Sequence, residues 1–311
     1  MKHLKLFLYG LIFFSLIMIS SCNENETIDL PTSALIHFSV DNKKVAFTAL
    51  AINAETYSWD FGDGNTSTEP NPVHEYQDGG YYNVTLNVSG SSGSDTDTSL
   101  LSIALTPYVL LTGGPTAENG KTWKLTAAHT KNDRLANADA SFSVADGAPA
   151  ELPQGAFDLF LGMGEVYQDE YTFHFDGSYE HDVKDDGAAF SGIVYQMVTD
   201  GGASIVNAGG IDFGLCTATY TPEPDATFTY VENEDFKVPS VYGPGGMLTF
   251  SSVSTLDFSG TEFVGFMDFQ RKVILQDVTD NTMRLVMFMA ASPDHLPLNT
   301  HALILTFEVV K

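Results

Sequence analysis

The chain has 311 residues, 43% of them hydrophobic, and sets 40 Asp and Glu against 14 Lys and Arg, for a formal charge of −26. A surface this acidic, with no lysine- or arginine-rich stripe, repels a phosphate backbone and excludes nucleic acid as a partner; a neutral ligand or a cation suits it better. The only cysteines are Cys22 and Cys216, too few for a disulfide framework.

Residues 1–22, "MKHLKLFLYGLIFFSLIMISSC", carry Lys2 and Lys5, then an apolar run, then small residues before Cys22. That order predicts a secretion signal rather than a membrane span. The ending "ISSC" resembles a bacterial lipobox, which implies lipidation of Cys22 and a membrane-anchored mature chain. Residues 23–32 are polar and acidic and are expected to form a flexible tether. With Cys22 so used, Cys216 in "FGLCTATY" is expected to be a small buried residue.

From residue 33 an alternation of period two takes over. In "YSWDF", Tyr57, Trp59 and Phe61 alternate with polar residues, and in "YNVTLNVS" so do Tyr82, Val84, Leu86 and Val88. Each predicts a strand with one buried face. Between them "WDFGDG" could be a metal loop or a turn. It lacks the alternate-position ligands and closing acid of an EF-hand, and Gly62 and Gly64 supply the positive φ of a tight reversal, so it is predicted to be a turn. The run from Trp59 to Gly64, followed by Pro72, His74, Tyr76, Gly80, Tyr82 and Val84, resembles the signature of the PKD domain. The resemblance covers residues 33–106. It implies an immunoglobulin-like sandwich serving as a spacer or adhesion module, with His74 and Tyr76 bracing a corner.

Proline, glycines and polar residues mark a linker at 107–120, and residues 121–311 read as a second β domain. In "DEYTFHFDGSYEHDV" a two-residue loop would put Glu180 opposite Phe173. A three-residue loop, Phe175-Asp176-Gly177, instead pairs Phe173 with Tyr179 and Tyr171 with His181 and keeps one aromatic face, so that register is predicted. A second hairpin is expected to turn at Asp280-Asn281, and "HALILTFEVV" is expected to be the last strand. The class is therefore all-β, a PKD sandwich followed by a larger jelly-roll-like β-sandwich, with a lipocalin-like barrel as the alternative.

No nucleophile elbow, zinc helix or paired Cys-x-x-Cys is present, and neither "VENEDF" nor "EVYQDEY" carries the acid spacing of a jelly-roll glycosidase, so no catalytic residue is assigned. His174 and His181 fall on opposite strand faces, which argues against a shared zinc. "DVKDDG" offers at most a weak structural calcium site, or an exposed acidic turn; no other cofactor is expected. Sugar rings stack on exposed aromatics beside hydrogen-bonding groups. Tyr167 and Tyr242, in glycine-rich loops, are the expected platforms, with Asp169 and Glu170 as acceptors. Trp123 reads either as a core tryptophan of the first strand or as a further platform. Tyr195 alternates with Ile193 and Met197 and is expected in a strand facing the core.

Through "GKTWKL", "YQDEYTFHFDGSYEHDV" and "LDFSGTEFVGFMDFQRKVILQDVTDNTMRLVMF", the second domain resembles, more loosely, those of PKD-containing surface lipoproteins of Bacteroidota polysaccharide-utilisation systems. That implies non-catalytic capture of a polysaccharide or oligosaccharide at the outer membrane, facing the exterior, beside a TonB-dependent transporter and its glycan-binding partner. A structural or adhesive surface protein, or a carbohydrate-active enzyme, are the other readings.

Overall fold

The computed structural model describes residues 30–311. The signal segment, Cys22 and all of the tether except residues 30–32 lie outside the described residues.

The first unit contains seven strands, β1 (Ser33–Asp41), β2 (Lys44–Ile52), β3 (Thr56–Asp60), β4 (Thr66–Ser67), β5 (Val73–Glu75), β6 (Gly80–Gly90) and β7 (Gly93–Ile103). They form two sheets, ordered β1-β2-β5 and β4-β3-β6-β7. The alternation is realised: Tyr82, Val84, Leu86 and Val88 of β6 join Phe47, Trp59 and Phe61 in one core. "WDFGDG" is a turn. Gly62 and Gly64 have φ of 78° and 87°, Asp60 accepts from the Gly62 amide at 2.9 Å, and Asp63 accepts from the Asn65 amide at 3.0 Å. His74 donates to the other Asp63 oxygen at 2.7 Å and stacks on Phe61 with centroids 4.3 Å apart. The Tyr76 hydroxyl donates to the Phe61 carbonyl at 3.0 Å. The expected corner is thus braced by three side chains.

The segment between the units contains a six-residue helix, α1 (Pro107–Thr112), started by Thr106, whose hydroxyl accepts from the Val109 amide, and ended by Gly113 at φ 84°. Leu111 is buried in the core of the second unit.

That unit is a larger β-sandwich. Its remaining elements are β8 (Lys121–Leu125), β9 (Arg134–Asn137), α2 (Ala156–Leu161), β10 (Glu170–Phe173), β11 (Tyr179–Asp182), β12 (Ala188–Gly192), α3 (Ile193–Asp200), β13 (Ile205–Asn207), β14 (Leu215–Thr219), β15 (Phe228–Pro239), β16 (Met247–Phe258), β17 (Val273–Val278), β18 (Thr282–Met289) and β19 (His301–Val309). The main sheet is antiparallel in the order β11-β10-β8-β19-β18-β17-β16-β15, with β9 also paired to β19. It curls until its edges meet at one bridge, Ser178 to Thr227. Both predicted hairpins are present. Phe173 pairs with Tyr179 and Tyr171 with His181, Gly177 is left-handed, and Thr279 and Thr282 flank the Asp280-Asn281 turn.

Inside the curl lie Trp123, Tyr171, Phe173, Leu285, Leu305 and Phe307. A register shift between Val231 and Glu234 bends the β15–β16 hairpin, and its outer half carries Phe236, Val238 and Phe250 over the back of β17–β19, against Ile274, Val286 and Phe288. Covered on both faces, Leu285 to Met289 of β18 form an unbroken apolar run, as expected of a doubly buried strand. The small sheet β12-β14-β13 sends Phe190 and Leu215 into the main core.

One local expectation fails. Tyr195 lies in α3, not in a strand, and Met197 of the same helix is exposed. Eight residues give barely two turns, too few for a helical period to stand out against the spacing of two.

Candidate functional site

The structure does not bring the sequence-predicted site residues together. Trp123 is fully buried, and its indole N–H donates to the Leu111 carbonyl at 2.9 Å; it is a core residue and no platform. Tyr167 is a correction of the same kind. It ends a short 3-10 turn, Gly164–Tyr167, and is only 7% exposed. Asp169 is 1% exposed, with one carboxylate oxygen unpartnered. Burial, and the charges of Asp186 and Asp182 after it, push its pKa up to about 8, so it is no acceptor waiting in solvent. Glu170 is held by Lys184 at 2.7 Å. Of the five, only Tyr242 stands clear, 47% exposed, with its hydroxyl donating to Asn137 at 3.0 Å.

In "DVKDDG", Asp182 accepts from the Lys184 amide at 2.8 Å and from its ammonium at 2.7 Å, and Asp186 accepts from the Ala188 amide at 3.1 Å. Turn geometry and one lysine occupy these carboxylates. Among the described residues no group of three or more His, Cys, Asp or Glu side chains is placed to hold a metal ion.

Tyr167 turns inward because its oxygen completes a chain of hydrogen bonds. Asp133, fully buried, accepts from the Thr130 and Thr306 hydroxyls at 2.7 Å each, from the Thr306 amide at 3.0 Å, and from His129 Nδ1 at 3.2 Å. Burial raises the Asp133 pKa, but those donors outweigh it and hold the carboxyl below its ordinary range. With Nδ1 donating, Nε2 of His129 is left to accept the Tyr167 hydroxyl proton at 2.9 Å. The Tyr167 oxygen in turn accepts the Phe157 amide at 3.0 Å, one of the free N–H groups in the first turn of α2. His129 adopts a positive φ of 44° to reach both partners.

Carboxylate, imidazole and hydroxyl in a row resemble a nucleophile's activating chain. Here burial, with Asp158 and Asp133 adding to it, pushes the phenol up to about 12, and the hydroxyl is committed on both sides. The chain clamps α2 to the body of the domain.

What α2 is clamped over is a cavity of about 480 Å³, within the roughly 300–1,000 Å³ usual for small-molecule sites. Phe157, Phe160 and Leu161 of α2 form one wall, and Leu135 of β9 and Leu303 of β19 form the floor. Leu152 and Pro149 come from the preceding loop, and Phe213 and Leu215 close the far side. No titratable side chain lines it. The rim is apolar too: Phe160 is 65% and Phe213 40% exposed, and Leu159 and Ile211 beside them are also exposed. None of these residues is among those expected from the sequence. The one local signal of the site is "AFDLFLG", where Leu159 and Phe160 follow each other in a segment too short to form a core helix.

The cavity lies at one end of the curled sheet and the first unit at the other. Leu303 lies near the start of β19 at the cavity end, while Val309 closes the strand against Asn281. There the Tyr81 hydroxyl of the first unit donates to Asp280. Six residues of strand separate Leu303 from Val309, about 20 Å.

Compared with known proteins, residues 37–105 match the family profile of the PKD domain, and the first unit is a PKD domain. Collagenase ColQ1 of Bacillus cereus (strain Q1) is 55% identical over 40 residues, which is 13% of this chain and 4% of the collagenase. The chain therefore spans only a small fraction of the length of the curated relatives it matches. The crystal structure of the PKD1 domain from the Vibrio cholerae metalloprotease PrtV is similar at 32% identity and TM-score 0.24, over 24% of this chain and all of that one. A structure described as one of the carbohydrate-binding modules from the β-sandwich superfamily aligns with 91% of this chain and 93% of its own, at 16% identity and TM-score 0.25.

Proposed function

We propose that this chain is a non-catalytic binding protein, in which the PKD domain is a spacer and the second domain takes the apolar part of a ligand into the cavity at its far end. The observation that carries this reading is the cavity itself, of about 480 Å³, walled by leucine, phenylalanine, proline and alanine from four separate segments and open at an apolar rim. Apolar surface left in water is unfavourable by roughly 25 cal/mol per Å², and an opening of this kind marks a binding site more often than an accident of packing. The collagenase and metalloprotease matches concern the PKD segment, and no activity is carried over from them.

Capture of a polysaccharide or oligosaccharide remains a second reading, favoured by one feature. The exposed Tyr242 ring stands beside Asn137, two residues along β9 from Leu135 of the cavity floor, so a sugar ring could stack there. The cavity cannot itself take a glycan chain, because hydroxyl groups buried against such walls would lose their hydrogen bonds, at about 1–3 kcal/mol each. Lipid anchoring through Cys22, display on the outer membrane and service to a TonB-dependent transporter belong to the same proposal and rest on the sequence alone.

The test is titration of the protein with a neutral solvatochromic dye, alongside affinity electrophoresis in a panel of polysaccharides. Saturable dye fluorescence that Leu152→Arg abolishes supports the cavity reading. Retardation by a polysaccharide that Tyr242→Ala abolishes supports the second reading. New reducing ends released from any polysaccharide would overturn the non-catalytic assignment.

A further inference from the structure

The ligand's chemical class can be read one step further, and this step rests on the cavity reading above. The walls dictate an apolar tail, and the chain around the mouth bears on the head. Three wall residues have an exposed acid directly before them in sequence. Asp146 precedes Gly147, Glu151 precedes Leu152, and Asp212 precedes Phe213, whereas the Asp158 carboxyl lies over Gly164, away from the lining. No lysine or arginine occurs between Arg134 and Lys184, or between Lys184 and Lys237, so the wall segments of 147–161 and 213–215 bring no positive charge to the opening. Arg134, the basic residue closest in sequence to the wall, is turned away. Leu135 belongs to the inner core, while Ala136, on the same strand face as Arg134, packs in the cluster behind the sheet.

We propose that the cavity takes a small cationic amphiphile tail-first, leaving its positive head among Asp146, Glu151 and Asp212. An anionic amphiphile with the same tail would place its charge in the same field with the sign reversed. At a head-to-carboxylate separation of about 8–10 Å in water, three acids favour a cation over an anion by on the order of 10- to 100-fold in affinity at low ionic strength. Salt at 0.5 M, with a Debye length of roughly 4 Å, should shrink that ratio to a few-fold. The apolar wall sets how tightly the tail is held and is indifferent to the head. Head selectivity and tail affinity should therefore respond to different substitutions.

The experiment displaces the neutral dye from the whole protein with three probes sharing a ten-carbon tail, decyltrimethylammonium and decyl sulfate below their micelle-forming concentrations and 1-decanol below its solubility limit. It is run at 20 mM and 500 mM NaCl. Two variants accompany the wild type. One neutralises the mouth (Asp146→Asn, Glu151→Gln, Asp212→Asn). The other neutralises three exposed acids away from the mouth (Asp41→Asn, Glu55→Gln, Glu75→Gln). The proposal expects the ammonium probe to bind tightest and the sulfate weakest, with a gap that collapses in high salt and in the mouth variant but persists in the remote one. Equal affinities, a preference for decyl sulfate, or an equal loss in both variants would overturn the cationic assignment while leaving the cavity as a binding site. If no probe displaces dye and Leu152→Arg behaves as wild type, with circular dichroism showing it folded, the cavity reading falls and this proposal with it.

Discussion

Two buried carboxyl groups give the molecule an unusual response to pH. Asp268 accepts the Phe269 amide at 2.7 Å, but its other oxygen has no partner. Burial raises its pKa to about 7, against the pull of that amide and of Arg271. The unpartnered oxygen lies so near Gly192 that a Cβ there would come within 2.1 Å of it, so only glycine fits. Asp169, raised to about 8, behaves alike. An acid whose folded pKa lies above its unfolded one stabilises the fold at low pH and loses that contribution as pH rises through the folded value. The unfolding free energy from urea curves should therefore fall between pH 5 and pH 8, by up to a few kcal/mol in all. Asp268→Asn and Asp169→Asn, which mimic the protonated forms, should each flatten the slope. Asp133 has the opposite sign. Its pKa is lowered, so its contribution is present at neutral pH and is lost as pH falls below the ordinary carboxyl range. Asp133→Asn should cost about 3–5 kcal/mol at pH 7, read from the same urea curves.

Tyr167 shows why single side chains were hard to place from sequence. A tyrosine among glycines suggests exposure, yet its hydrogen-bond partners, His129 and Phe157, lie 38 and 10 residues away, and nothing local announces them. Tyr167→Phe should keep the ring packed but free the Phe157 amide, costing about 1–2 kcal/mol and weakening dye binding several-fold as α2 loosens. Unchanged dye affinity would show that α2 needs no such clamp.

Elements were more legible where a rule of geometry left one answer. The hairpin at Phe175-Asp176-Gly177 could be read because only a three-residue loop keeps Glu180 off the aromatic face, and the register Phe173 to Tyr179 follows. The PKD turn was legible because Gly62 must be glycine twice over, for its φ of 78° and because a Cβ would meet the Asn83 carbonyl oxygen at 2.6 Å. The segment 107–120 was not, since proline and glycine at its ends hide α1. Leu111→Ala should accordingly destabilise the second domain by about 2–5 kcal/mol, a cost a loose linker would not show. Asp63→Ala or His74→Ala, which breaks the corner contact of the first domain, should cost about 1 kcal/mol in its own unfolding transition and leave dye affinity untouched. The cavity as a whole could not be read. It is assembled from β9, α2, β19 and two loops, and no one of these carries a pattern that means a wall.

At the scale of the whole molecule, the two domains touch where the Tyr81 hydroxyl meets Asp280 and where the Thr116 hydroxyl donates to the Tyr81 carbonyl at 2.6 Å. Asp280→Ala together with Tyr81→Phe should widen the spread of interdomain distances in small-angle scattering. Ligand binding at the other end should not change.

The placement of the cavity also fixes a load path. If the chain is held from its N-terminal side and a ligand is pulled from the cavity, tension enters the second domain near Thr106 and leaves near Leu303, along the length of β19. The chain enters the domain through β8, which pairs with β19 from Leu125–Phe307 to Trp123–Val309, so the force shears those hydrogen bonds together instead of unzipping them one by one. A domain loaded in that direction yields late. The ligand should slip out of its apolar seat long before the strands part, so the grip releases under drag without loss of the fold.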